Sequence, residues 1–173
     1  MMENKKRDYP FLKESSIEDE ASKLLKAFAK EKGNNIQAPI PVFDIIEYLG
    51  YDIDFRTDGI YQDENILGGL LISKKMVEIN ENLSNQEGRM NFTAAHETGH
   101  IVLHVPYYLE QNKTEEKEKT EIICRQNEGF EGNKKAPEEW QADKFAANLL
   151  MPSKMVKKAF FDHCRNFYNF FRK

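Results

Sequence analysis

The stretch that most constrains this chain runs from Asn91 to His104 and contains the motif H-E-x-x-H. On a helix, His96 and His100 lie one turn apart, so both imidazoles project from the same face. This is the arrangement that two neutral ring nitrogens need in order to hold a zinc ion. Glu97 is offset around the helix axis, where its carboxylate can accept a proton from a metal-bound water. The apolar residues around the motif predict that the helix is buried.

A second informative stretch lies about forty residues further on, from Pro137 to Pro152. Pro137 predicts the start of an apolar helix, and the acidic residues of its first turn suit the helix dipole. A catalytic zinc site with two histidines needs one more protein ligand and an open position for water, and Glu139 can be that ligand. Asp143 lies one turn later on the same face, where it can hydrogen-bond the far ring nitrogen of a zinc histidine.

Alternative assignments stay open at both stretches. Glu138 is the rival third ligand, although the residue one turn after it is Ala142, which cannot orient a histidine. The acids of this helix can also be solvated residues without a ligand. A metzincin ligand set is excluded, because Leu103 and Pro106 stand where glycine and histidine are needed. His104 either supports the site, binds the developing oxyanion, or simply packs at the end of the helix.

The composition is that of an ordinary globular domain. The chain has 173 residues, of which 40% are hydrophobic and 31% charged, which predicts one domain with a sizeable core. Its net charge of -4 and pI of about 5.7 argue against direct binding to nucleic acid or to an anionic membrane. We expect a cytoplasmic protein, because no apolar run reaches the length of a membrane span and no signal sequence is recognisable. Cys124 and Cys164 match neither a disulfide framework nor a zinc ribbon and are predicted to be reduced thiols.

Local patterns predict helices and strands in the remainder of the chain. A helix is expected from a serine cap, Ser15 or Ser16, to about Lys32. A shorter helix is expected after Pro41. Strands are predicted over residues 51–55 and, as a pair, within residues 65–80.

Three further segments complete a predicted single domain of residues 1–173. Residues 1–14 are expected to be a loose N-terminal lead-in. Residues 107–137 are predicted to form a charged loop insertion, which is either a lid over the substrate or a tolerated surface loop. Residues 153–173 are predicted to form a short aromatic C-terminal helix that packs on the domain, with a partner-binding patch as the alternative.

Together the two motif-bearing stretches resemble the ImmA/IrrE family of zinc metallopeptidases. The segments F-T-A-A-H-E-T-G-H-I-V-L-H and E-W-Q-A-D-K-F-A-A-N-L-L-M-P are similar to the family's signatures, and weaker similarity extends over residues 17–156. The resemblance implies an α+β, zincin-like metallopeptidase domain, with a small mixed or antiparallel sheet packed on the H-E-x-x-H helix and further helices. It also implies one Zn2+ per chain on His96, His100 and Glu139, with Glu97 as the catalytic residue.

The same resemblance implies a biological role. It indicates a zinc-dependent endopeptidase that cuts a helix-turn-helix transcriptional repressor, either on a mobile element or in a stress response. The alternative is a regulatory protein that keeps the zinc fold and acts by docking to a repressor, although a pure binder has no need of Glu97. Thr98 stands where the family usually has leucine, within the variable part of the motif.

Two glycines interrupt one of the predicted strands. Gly68 and Gly69 mark either a bulge at a sheet edge or the close approach of another backbone. In a peptidase that other backbone can be the substrate, added as a strand beside the sheet. Both readings stay open from the residues alone.

Overall fold

The chain adopts a mixed α+β fold in the computed structural model, which describes residues 9–33, 35–58, 60, 63, 65–111, 121–125 and 136–170. The helices are α1 (Glu14–Lys32), α2 (Val42–Tyr48), α3 (Glu87–Leu103), α4 (Val105–Gln111), α5 (Pro137–Leu150) and α6 (Ser153–Phe170). The strands are β1 (Asp52–Arg56), β2 (Ile66–Leu71), β3 (Met76–Asn80) and β4 (Glu121–Arg125). The predicted α+β class is confirmed.

The four strands form one mixed sheet in the order β1-β3-β2-β4. Strands β1 and β3 run parallel, with Asp54 opposite Glu78. Strand β2 runs antiparallel to both β3 and β4, so it is hydrogen-bonded on both sides. The outer strands of the described sheet are therefore β1 and β4.

Helix α3, which carries the H-E-x-x-H motif, lies between the sheet and α5. It contacts β2 and β3, and its closest helical neighbour is α5, which is in turn covered by α1. Phe145 and Leu149 of α5 are 0% exposed, and burial of each such side chain contributes about 1.5–3 kcal/mol. This apolar face holds α5 in place, so that the first turn of α5 lies beside the motif.

Helix α1 ends as predicted but begins differently. Gly33 follows its last turn with φ of 67°, a left-handed conformation that glycine adopts without strain. At the other end the helix begins at Glu14, before both candidate cap residues, and no side chain caps it. The amide groups of Ser16 and Ile17 donate instead to the backbone carbonyl of Lys13. The predicted serine cap is therefore wrong.

Gly68 in β2 lies against α3, a contact that the sequence did not reveal. A Cβ atom at Gly68 would lie 2.6 Å from Cγ2 of Thr93 and 3.0 Å from Oε1 of Glu97, so β2 passes directly over α3 at the motif. The predicted bulge is present as a register shift between Ile66 and Gly68 on the β4 side. The suggestion that a substrate strand pairs beside Gly68 is wrong, because both edges of β2 are already occupied by β3 and β4.

The segment predicted as a charged loop contains regular structure. Residues 107–111 belong to α4, and Pro106 lies in the first turn of that helix, where proline is tolerated because the N–H groups there have no helical partner. Residues 121–125 form β4. The rest of this predicted loop, residues 112–120 and 126–135, lies outside the described residues.

The C-terminal segment is helical, as predicted, but its described part does not pack as a closing helix. In α6 the side chains of Val156, Phe160 and Phe161 are 50%, 64% and 67% exposed. The prediction that the aromatic residues close the domain is wrong for these positions. No helix among the described residues combines the length and the apolar character needed to cross a membrane.

Candidate metal centre

The side chains of the H-E-x-x-H motif converge with the first turn of α5 in the protein interior. His96, Glu97 and His100 are 2%, 0% and 0% exposed. Nε2 of His96 lies 3.2 Å from Oε2 of Glu139, and Nε2 of His100 lies 3.4 Å from Oε1 of the same carboxylate. The ligand atoms of His96, His100 and Glu139 all lie within 4.8 Å of one another.

A glycine allows the two helices to approach this closely. A Cβ atom at Gly99 would lie 3.1 Å from both Cα and the carbonyl oxygen of Ala142, and 3.2 Å from Cβ of Phe145. The backbones of α3 and α5 therefore touch at this point, one residue before His100. Sequence reasoning missed Gly99, although a glycine inside a helix is costly enough to signal a packing role.

Asp143 orients the first histidine of the motif. Its Oδ1 lies 2.9 Å from Nδ1 of His96. Because a carboxylate oxygen accepts, Nδ1 of His96 donates and the lone pair of a neutral ring lies on Nε2. That lone pair faces Glu139 and His100, so the tautomer is the one that a metal ligand needs.

The two histidines approach each other through the nitrogens that face Glu139. Their Nε2 atoms are 3.0 Å apart, a distance at which two lone pairs repel unless a proton or a cation lies between them. Burial lowers the pKa of His100, which disfavours the proton. A buried carboxylate beside the pair favours a cation.

Glu97 has an unusual environment for a carboxylate. Neither of its oxygen atoms contacts a hydrogen-bond donor among the described residues, although both are buried. Burial raises the pKa of Glu97 to about 8, against a smaller lowering by His96 and a smaller further rise from Glu139. Burying a carboxylate without a hydrogen-bond partner costs free energy. We therefore expect a hydrogen-bond donor to lie beside Glu97 when the neighbouring ligands hold a metal ion.

Glu139 lies between the two rings. Burial raises the pKa of Glu139, but the close approach of its oxygen atoms to His100 and His96 lowers it well below its ordinary value. Two imidazoles and one carboxylate are a donor set of catalytic zinc sites, which keep a fourth position open. The residues present therefore fit a divalent metal ion of this kind.

The structure brings together most of the predicted site residues. His96, Glu97, His100, Glu139 and Asp143 lie in one cluster, whereas Glu138 is not among the described residues that could share a metal ion. The geometry thus favours Glu139 over its neighbour as the third ligand.

His104 lies one turn behind His100 and is also buried, at 1% exposure. Its Nδ1 lies 2.9 Å from Nδ1 of His100, and its Nε2 lies 3.2 Å from Oε1 of Gln141. Both ring nitrogens are engaged on the side away from Glu139, which favours a supporting role over oxyanion binding. Burial, with a smaller contribution from the neighbouring His100, lowers the pKa of His104 to about 3.

The N-terminal segment that precedes α1 packs behind the site. The ring of Tyr9 lies 4.8 Å from that of His104, centroid to centroid, and the ring of Phe11 stacks on Trp140 at 6.3 Å. The predicted loose lead-in is therefore wrong for residues 9–13, whereas residues 1–8 lie outside the described residues. Neither this segment nor Gln141 was recognised from the sequence, because no local pattern links them to the motif.

A buried H-E-x-x-H helix, with a carboxylate from a second helix beside both histidines, is typical of metallopeptidases. The chain belongs to the peptidase family M78, since the family model described as the IrrE N-terminal-like domain matches residues 52–166. The predicted ImmA/IrrE membership is thereby confirmed. Searches among curated proteins and among solved structures find no match.

Proposed function

We propose that this protein is a zinc-dependent endopeptidase that hydrolyses peptide bonds in a protein substrate. The observation that carries the proposal is the position of Glu97, a buried carboxylate with no hydrogen-bond partner among the described residues, beside the predicted ligands. A purely structural metal site has no use for such a group, because structural sites complete their coordination with protein ligands. The mixed sheet over the motif helix also supports the zincin-like assignment.

The roles of the residues follow from their surroundings. His96, His100 and Glu139 would hold the ion, and Asp143 keeps the ring of His96 in the required tautomer. A bound Zn2+ supplies Lewis acidity, which lowers the pKa of a coordinated water to about 7 and polarises a carbonyl group. Glu97 then accepts a proton from the attacking water and passes it to the nitrogen of the leaving amine.

The described part of the sheet has an outer strand near α3. This strand is β4, which lies beside α3. We propose that the substrate segment adds beside β4, where main-chain hydrogen bonds hold it without regard to most of its side chains. This relocates the substrate strand from β2, whose edges are both filled.

The proposed substrate is a helix-turn-helix transcriptional repressor in the cytoplasm. Its support is the resemblance of the two signature stretches to the ImmA/IrrE family. A second candidate function, docking to a repressor without cutting it, is favoured by the exposed apolar residues of α6, Val156, Phe160 and Phe161. The two candidates differ in whether the partner is fragmented.

The test is the substitution Glu97→Gln, which keeps the size of the side chain but removes the base. We expect the variant to bind one zinc per chain and to lose cleavage by about 100- to 10,000-fold, the usual contribution of general acid–base catalysis. The probe is a purified helix-turn-helix repressor, and fragments are followed on a gel. The matched control is Glu138→Gln, which should cut at the parental rate.

Two outcomes would contradict the proposal. If Glu97→Gln cleaved the substrate at the parental rate, Glu97 would not be the catalytic base. An intact repressor that co-elutes equally with the parental protein and the variant would favour docking instead.

A further inference from the structure

We infer that Gln141 is a positioning residue for the metal centre, which acts through His104 to select the ring tautomer of His100. The inference rests on the metal site of the proposed function but not on proteolysis. Four groups form one hydrogen-bonded series: the carbonyl of Pro10, then Gln141, His104 and His100. The assignment of donor and acceptor in each hydrogen bond determines the assignment in the next one.

The series begins at a group that can only accept. The backbone carbonyl oxygen of Pro10 lies 3.1 Å from Nε2 of Gln141, so the amide nitrogen of Gln141 must be the atom that faces it. The opposite orientation of the side-chain amide would place two acceptor oxygens against each other. The side-chain oxygen of Gln141 is consequently directed toward His104.

The second contact sets the tautomer of His104. Oε1 of Gln141 lies 3.2 Å from Nε2 of His104, and an amide oxygen only accepts, so Nε2 of His104 carries the proton. The ring is 1% exposed, and such burial favours its neutral form. A neutral imidazole has a single N–H, so Nδ1 of His104 is an acceptor.

The third contact passes this choice to the metal ligand. Nδ1 of His100 lies 2.9 Å from Nδ1 of His104, so it must donate, and the lone pair of His100 lies on Nε2. That atom is 3.0 Å from Nε2 of His96 and 3.4 Å from Oε1 of Glu139, on the side of the proposed metal ion. A backbone carbonyl outside α3 and α5 thus sets the tautomer in which His100 can bind metal.

Aromatic contacts hold the start of the series in place. Tyr9 and Phe11, on either side of Pro10, pack on the rings of His104 and Trp140. The N-terminal segment therefore contributes to the metal centre by position, although it supplies no ligand. The two histidines consequently have different supports, a carboxylate for His96 and an uncharged series for His100.

The direct test is the tautomeric state of the histidines in the zinc-loaded, full-length protein, where a cation lies between the two facing lone pairs. The chain has four histidines, so side-chain nitrogen-15 NMR of histidine-labelled protein resolves each ring. We expect a proton on Nδ1 of His100 and on Nε2 of His104. The opposite tautomer of either ring would overturn the inference.

The second test removes the link with Gln141→Met, a substitution of similar length without hydrogen-bonding groups. We expect zinc affinity, measured by chelator competition, to fall, by at most the about 10- to 100-fold that is usual when a direct partner of a metal ligand is lost. The NMR signal of the Nε2–H group of His104 should then shift, because its acceptor has been removed.

The matched control is Asn148→Met, which also replaces a side-chain amide on α5. Asn148 donates to the carbonyl of Lys144 and has no part in the series, so zinc affinity should stay at the parental value. Parental zinc affinity together with unchanged His104 signals in Gln141→Met would overturn the inference. A protein with the expected tautomers that cuts no substrate would refute the proposed function and leave the inference standing.

Discussion

A single carboxylate on α5 reaches both motif histidines. Oε1 of Glu139 faces His100 and Oε2 faces His96, while Asp143 holds the far nitrogen of His96. Glu139 and Asp143 can both reach His96 because residues one turn apart lie on the same face of a helix. Glu138 is adjacent in the chain but points in a different direction around the axis, so it belongs to no ligand group among the described residues.

The ligand assignment can be tested with Glu139→Ala. Loss of a ligand should weaken zinc binding by more than the about 10- to 100-fold that loss of a supporting partner costs. Chelator competition measures the affinity, and Glu138→Ala is the control, expected to bind zinc like the parental protein. Weaker binding in the control than in Glu139→Ala would exchange the two roles.

At the scale of secondary structure, the site depends on how closely α3 and α5 approach. Gly99 leaves no room for a side chain between the helices, and the buried apolar face of α5 presses its first turn against the motif. On the opposite side, β2 covers Glu97 and uses Gly68 to do so. The motif helix is thus enclosed by two close contacts, each of which depends on a glycine.

The helix contact predicts the effect of Gly99→Ala. Alanine improves helix propensity by about 0.8–1 kcal/mol, but its Cβ would lie 3.1 Å from the α5 backbone, and overpacking of this kind costs about 1–3 kcal/mol. We expect a lower free energy of unfolding in urea. We also expect weaker zinc binding, because the added methyl group would displace α5 and move Glu139 away from the histidines.

Gly88 provides the matched control on the same helix. A Cβ atom there meets nothing within 4 Å, so Gly88→Ala should leave zinc binding unchanged and should not lower the stability. Equal losses of zinc affinity in the two variants would mean that the close contact at Gly99 has no special part in the site.

At the scale of the whole molecule, the buried site opposes folding when no metal neutralises it. Burial raises the pKa of Glu97 from 4.5 to about 8, so between these values the folded, metal-free protein binds a proton that the unfolded chain does not. Stability then falls as pH rises through this interval. His100 and His104 have lowered pKa values and act in the opposite sense, up to about one pH unit above their ordinary value of 6.5.

The interval from about pH 7.5 to 8.5 therefore reports mainly on Glu97 among these groups, because few histidine side chains of the unfolded chain are still protonated there. We expect the free energy of unfolding of the metal-free protein to fall across it, as measured by urea denaturation in the presence of a chelator. Glu97→Gln should remove most of this fall and should be more stable than the parental protein at pH 8. Glu138→Gln should retain the parental pH dependence. A parental protein whose stability rises over this interval would contradict the burial of an unpaired Glu97.

Local patterns predicted much of this fold and of the candidate site. The helical placement of the motif histidines on one face needs only the periodicity of the helix, so the sequence indicates it directly. The same holds for Gly33 at the end of α1, with its φ of 67°, and for β3, whose pattern predicted a strand. These features depend on neighbours in the chain, and neighbours in the chain are what a sequence displays.

Contacts between distant segments were beyond those patterns. The strand order shows that both edges of β2 are paired, so no substrate strand can add there. The short distance between α3 and α5 explains why residue 99 is a glycine. The hydrogen bond between Gln141 and the carbonyl of Pro10 joins residues that are far apart in sequence. The exposure of Phe160 is of the same kind, since an amphipathic pattern does not say whether anything covers it. By itself the sequence determined which side chains can bind a metal ion. Only the tertiary structure decided what orients and encloses them, because close packing is a property of the whole chain and is written in no single segment.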